Sequence, residues 1–170
     1  MSGYVGAMLD DPDDLFMRFA LLARNLKAET ERRLLRYGVH AGQQFVLECL
    51  WEKDGLTPSE IADRIRVETP TATRALQRME AAGLLRRTGD SDDARRVRIW
   101  LTPRSKSLRG KIAQTMADLQ RDALALLSEA ERRQFLSLIG RVLESVQEAS
   151  GGNRNGPAVH DPRGASRSDH

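Results

Sequence analysis

Two helix-start signals stand so close together near the middle of the chain that only one short helix and a tight turn fit between them. The first is Thr57-Pro58-Ser59-Glu60. A threonine N-cap, a proline at the first helical position and a glutamate closing a capping box satisfy the amide groups that a helix leaves free at its start. The second is Thr69-Pro70, which repeats the N-cap and N1-proline pair only a few residues after Ile65. Ile61, Ala62 and Ile65 give the first helix its buried stripe, and Ala72, Ala75, Leu76 and Met79 give one to the second. Gly83 supplies a C′ stop. Residues 57–83 therefore predict a helix-turn-helix.

The segment that follows makes the pair a winged one. Leu84 to Thr88 reads as a short strand, Gly89 to Asp93 as a polar turn, and Arg96 to Leu101 alternates with period two. Val97, Ile99 and Leu101 fall on the core side of that alternation. Upstream, Asp13 or Asp14 caps a long helix ending near Gly38, with Leu15, Phe19, Leu22, Leu26, Arg33 and Tyr37 along its seam. A second helix covers 41–53, turns Val46, Leu47 and Leu50 inward, and stops at Asp54-Gly55. Downstream, Thr102-Pro103 opens a helix with Leu108, Ile112, Met116, Leu119 and Ala123 on one side. A capping box from Ser128 to Glu131 opens a last helix carrying Phe135, Ile139, Val142 and Val146.

The expected fold class is mainly α with a small β-hairpin wing. A winged helix-turn-helix over 39–101 is flanked by an N-terminal dimerisation helix over 13–38 and C-terminal dimerisation helices over 102–149. Residues 1–12 read as a flexible arm and 150–170 as a disordered tail rich in Gly, Asn, Pro, Ser, Asp and Arg. The flanking helices carry more apolar surface than one small winged helix can cover. Packing against a second copy solves this, and two-fold symmetry is the commonest solution; an intramolecular three-helix cluster is the alternative.

Composition narrows the function classes. The 27 Lys and Arg barely exceed the 24 Asp and Glu, so the net charge of +3 does not by itself indicate a nucleic-acid partner. A single cysteine, Cys49, rules out an intrachain disulfide and a cysteine-built zinc site. No run approaches the roughly 20 apolar residues of a membrane span, and the start MSGYVGAMLDDPDD lacks the blocks of a signal peptide. The expectation is a cytoplasmic protein with no membrane partner. No nucleophile-base-acid set, phosphate-cradling glycine loop or metal set appears, so an enzyme is not expected and no cofactor is implied.

The chemistry concentrates on the second helix of the pair. Thr71, Thr73, Arg74, Gln77 and Arg78 project from the side opposite its apolar stripe. Arginine pairs with guanine, glutamine with adenine, and threonine with a phosphate or a thymine methyl. A solvated polar face is the plain alternative; the flanking wing favours double-stranded DNA. Ser59 and Arg96 join this set, and Arg95 at the wing tip is suited to a narrow minor groove. Asp90, Asp92 and Asp93 sit in the same turn, where carboxylates repel phosphate. Asp93 is read either as orienting an arginine of the wing or recognition helix or as a simple turn residue. A winged helix used as a protein-interaction or dimerisation module is the rival reading; Arg74 and Arg78, one turn apart, favour DNA.

Residues 57–102 resemble the MarR family of winged helix-turn-helix regulators. LTPSEIADRI and TPTATRALQRMEAAGLLRR look like its helix pair, and DDARRVRIWLT matches its wing, with Asp93, Arg95, Leu101 and Thr102 at the marking positions. The resemblance implies a triangular homodimer, formed by both chain ends, that binds a pseudo-palindromic operator and represses or activates transcription. It also implies a small aromatic or anionic effector held between the dimerisation helices and the winged helix. Here that cleft would draw on Phe16, Phe19, Arg24, His40, Phe45 and Trp51. The family's urate-responsive branch carries a tryptophan in its N-terminal helix region, and this chain has none there. Cys49, among Phe45, Val46 and Leu50 and without a basic neighbour in sequence, reads as a structural thiol rather than a redox switch. His40, His160 and His170 are too scattered for a metal site, and Trp51 and Trp100 read as packing residues, Trp100 pointing away from the wing's core face.

Overall fold

The computed structural model describes residues 15–89 and 96–151. In chain order these form α1 (Leu15–Leu34), a single 3-10 turn (Leu35–Tyr37), α2 (Gln43–Glu52), α3 (Pro58–Ile65), α4 (Thr69–Ala81), β1 (Leu85–Gly89), β2 (Val97–Leu101), α5 (Pro103–Ala123) and α6 (Glu129–Gly151). The expected mainly α fold with one antiparallel hairpin is the fold observed. The expected arm (1–12), the caps Asp13 and Asp14, most of the wing turn and all but the first residues of the expected tail lie outside the described residues. No helix among those described is long and apolar enough to cross a membrane. The chain divides after Ala123 into two compact units.

In the first unit, one core takes a contribution from every element. Leu34 of α1, Val46, Leu47 and Leu50 of α2, Ile61 of α3, Leu76 and Met79 of α4, Ile99 of β2 and Ile112 of α5 are fully buried together. The helix pair is thus fixed to a scaffold through its apolar stripe, as the spacing predicts.

The first start signal forms as expected. The Thr57 hydroxyl accepts from the Glu60 amide and Glu60 Oε2 accepts from the Thr57 amide at 2.7 Å, a complete capping box. The second start shifts by one residue. Glu68 is the N-cap, without a side-chain bond, so Thr69 and Pro70 occupy the first two helical positions. Proline is tolerated at either, because first-turn amides have no intrahelical acceptor. Between the helices Arg66 adopts a left-handed conformation (φ 56°) unusual for a residue with a side chain.

The hairpin pairs Leu85 with Leu101 and Gly89 with Val97. Leu56 adds a bridge to Ile99, whose amide and carbonyl bond Leu56 O and Gly55 N at 2.8 and 3.0 Å. Ile99 and Leu101 are buried as expected, but Val97 is exposed. It sits opposite Gly89 at the far end of the hairpin, where the alternation has run past the body of the unit. Trp100 lies on the outer face and does more than cover it. Its Nε1 donates to Thr88 Oγ1 at 2.9 Å, the Arg86 guanidinium lies 5.6 Å from its ring, and the ring rests on Gly55.

Within the first unit α1 buries Thr30 and Leu34, while its seam residues Leu15, Phe19, Leu22 and Leu26 are exposed, as is Ala123 at the end of α5; these stripes continue beyond the surface their own unit can cover. One other expectation is corrected: Ala75, expected to face inward on α4, is only half-buried.

Arg104, in the first turn of α5, ties two helix ends together. One guanidinium nitrogen donates to Ala82 O after α4, the other to Tyr37 O after α1, both at 2.9 Å.

The second unit consists of the Leu124–Ser128 connection and α6. Ser128 and Glu131 close the expected capping box, and Arg132 Nε donates to the Leu124 and Leu127 carbonyls. No described side chain of α6 is buried, and Leu136, Leu138, Val142, Leu143 and Val146 stand exposed along it.

Candidate nucleic-acid interface

Burial of Ala72, Leu76 and Met79 fixes the azimuth of α4 and so decides what its other side presents. That side carries Thr71, Arg74, Gln77 and Arg78, all exposed. Neither arginine has a hydrogen bond or ion pair among the described residues, so both guanidinium groups keep their donors for an outside acceptor. Thr73 is different. It is half-buried and its hydroxyl donates to Thr69 O at 2.9 Å, which leaves chiefly its methyl group for an outside contact. Ser59 is exposed on the first turn of α3, the helix that meets α4 across the turn.

The wing spends most of its arginines internally. Arg98 donates to Gly55 O at 2.9 Å, and Arg86 lies on Trp100. Arg87 Nε approaches Glu80 Oε2 of α4 at 2.9 Å, an ion pair by distance whose alignment does not make a hydrogen bond. These contacts hold the hairpin to the end of the recognition helix and to the 54–55 turn. Arg96 remains exposed at the foot of β2. Arg95 and Asp93, with Asp90 and Asp92, lie outside the described residues. Sequence reasoning missed Arg98 and Arg104 as positioning groups. The available signal for Arg104 was its place in a helix first turn, where a positive charge opposes the helix dipole and so asks for another reason to be there.

The six residues expected around an effector cleft are spread over α1, the turn before α2 and α2 itself. Phe16, Phe19 and Arg24 are exposed along α1. The Ala41 amide donates to Glu31 Oε2 and His40 Nδ1 lies 2.6 Å from its Oε1, and together, the amide foremost, they hold the Glu31 carboxyl below its usual range. Trp51 Nε1 donates to Ser105 O at 3.1 Å and its ring packs on the core. Phe45 is on α2 as well, but its ring opens to the other side. Residues spaced as Phe45 and Trp51 are diverge by about 120° around a helix, so the two side chains leave α2 in different directions. Phe45 instead edges a hollow of about 500 Å³ between α2 and α3, with Cys49 and Ile65. Cys49 is half-buried there; burial pushes its thiol up, against the opposing pull of Arg64. Arg64, distant in sequence, is the basic neighbour that the local reading of Cys49 lacked.

Comparison with known proteins places this geometry. The MarR family model matches residues 40–97. Over 70 residues the chain is 43% identical to the HTH-type transcriptional regulator TtmR of Methylorubrum extorquens, a match spanning 41% of this chain and 36% of TtmR. It is 34% identical over 87 residues to the HTH-type transcriptional regulator PecS of Dickeya dadantii, spanning 51% of this chain and 52% of PecS. The chain thus spans about half or less of the length of these relatives. The crystal structure of a Staphylococcus aureus MepR–DNA complex superposes with a TM-score of 0.71 at 25% identity, covering 77% of this chain and 97% of that one.

Proposed function

Residues 40–97 are a MarR-family domain, and from that premise we propose that the protein is a sequence-specific DNA-binding transcriptional regulator acting as a homodimer. The observation that carries the reading is the face of α4, where Arg74, Gln77 and Arg78 stand exposed with both guanidinium groups unpaired among the described residues. One side of α4 is held by the core and the other offers donors at base-edge spacing, which is what a major-groove helix requires. Ser59, Thr71 and Arg96 flank this face and suit phosphate contacts that set register. Arg95 is assigned to the minor groove, and Asp93 to orienting an arginine of the wing or recognition helix. The Arg104 bonds and the Trp100–Gly55 contact keep recognition helix and wing in fixed positions, so that binding does not spend its free energy on ordering them.

Dimerisation is supported by the apolar residues exposed along α1 and along α6. Isolated exposed leucines are ordinary, but repeated ones on a single helix face mark an interaction surface. A two-fold dimer reads a pseudo-palindromic site with half-site centres about 10 base pairs apart or a multiple of that. Repression, relieved by a small ligand, is the mode of action that the MarR-family relationship favours, and the cytoplasm is where the target lies.

The test is a titration of the full chain against the duplex upstream of its own gene, beside a scrambled duplex, at several salt concentrations. Tight binding to the upstream duplex alone, falling steeply with salt as counterions are released, is the expected result. Equal affinity for the two duplexes, repeated with duplexes selected from a random pool, refutes sequence-specific binding and leaves a winged-helix interaction module. Sedimentation of a Leu138→Asp, Val142→Asp variant tests the dimer: the expected result is a monomer that keeps its helical content, and an unchanged species refutes a role for α6.

A further inference from the structure

The hollow between α2 and the end of α3 has the makings of a binding site in its own right. Its α2 wall is one helix face bearing Phe45, Glu48, Cys49 and Glu52, while Val46, Leu47 and Leu50 turn to the core. Ile65, with Arg64 and Arg66, closes the other side. The volume of about 500 Å³ is that of a small-molecule site. Glu48 and Glu52 stand one turn apart, repel each other, and have no hydrogen bond or ion pair among the described residues. Arg64 and Arg66 line the hollow too, but neither pairs with these carboxylates, and no arginine acts on the Glu48 carboxyl. Burial and the charge of Glu52 both push the Glu48 carboxyl up, the sign expected where a cation is missing. The Phe45 ring, 54% exposed beside these carboxylates, is a surface that attracts a cation to its face and an aromatic ring to its edge.

We propose that this hollow binds a small aromatic amine in its protonated form, the ammonium toward Glu48 and Glu52 and the ring between Phe45 and Ile65. The site goes beyond the DNA-binding reading and does not depend on it, because occupancy is measured on the DNA-free protein.

The experiment titrates the full chain with tryptamine and with indole-3-acetate, which share a ring and differ in the sign of the head group, by calorimetry. Tryptamine is expected to bind saturably and at least about tenfold more tightly than indole-3-acetate. The Glu48→Gln, Glu52→Gln double variant, nearly isosteric and on a solvent-facing helix side, is expected to lose that preference with its circular dichroism unchanged. Tryptamine affinity is also expected to rise with pH as Glu48 ionises. No binding of tryptamine, equal affinity for the two compounds, preference for indole-3-acetate, or full tryptamine binding by the double variant each overturns the proposal.

Discussion

Replacing Gly55 by alanine tests how the wing is anchored, and a second glycine supplies its control. Gly55 (φ +77°) and Gly83 (φ +68°) are both left-handed, a conformation that costs a residue with a side chain about 1–2 kcal/mol. Both substitutions also remove freedom from the unfolded chain, an offset of about 0.4–1 kcal/mol that is common to the two. They differ in what a methyl group meets. At Gly83 there is nothing within 4 Å, whereas at Gly55 it would stand 2.5 Å from Trp100 Cη2 and 2.8 Å from Cζ2 and Cζ3. The ring cannot swing aside cheaply: Thr88 holds its Nε1, Arg86 lies on it, and the adjacent Ile99 is bonded to both Leu56 and Gly55. Overpacking of this kind costs about 1–3 kcal/mol. Gly55→Ala is therefore expected to destabilise by about 1–3 kcal/mol more than Gly83→Ala. The assay is urea unfolding of both variants at one protein concentration, since the stability of an oligomer depends on concentration. In a Trp100→Leu background the Gly55→Ala cost should fall to that of Gly83→Ala. Equal costs in the wild-type background, or an undiminished Gly55→Ala cost without the indole, refute the argument.

Three further outcomes are expected. Arg78→Ala should weaken operator binding by about 1–3 kcal/mol and relax base preference at one position in each half-site, read by titration against a set of singly substituted duplexes. The Glu29 carboxyl, hydrogen-bonded by Arg32 and Arg33, is held at about 2 against an ordinary 4.5. Its folded-state value lies below the unfolded one, so its contribution is present above 4.5 and is lost as pH falls through about 2; acid unfolding of Glu29→Gln should be less steep across that window. Alkylation of Cys49 should be slower than that of a free thiol at neutral pH, and slower still in Arg64→Ala, because burial raises the thiol while Arg64 opposes it; a faster reaction in the variant contradicts the assignment.

Local chemistry determined most of the fold. The Thr57–Glu60 box, the glycines at 55 and 83, and the apolar spacing along α2, α3 and α4 each act within a few residues, so they are legible in the chain itself. The face of α4 that carries Arg74, Gln77 and Arg78 follows from the same periodicity, because the buried stripe determines where its complement points. What only the tertiary structure decided depends on partners distant in sequence. Arg86, Arg87 and Arg98 look alike on paper, yet Trp100, Glu80 and Gly55 occupy them and leave Arg96 exposed. Arg104 bridges Tyr37 and Ala82, and Arg64 reaches the environment of Cys49. Phe45 and Trp51, both named for the effector cleft that the family resemblance implies, leave α2 on different sides, one toward the α3 hollow and one toward Ser105. Periodicity tells which way a side chain faces on its own element; which group waits there depends on how separate elements pack, and no spacing along one chain records that.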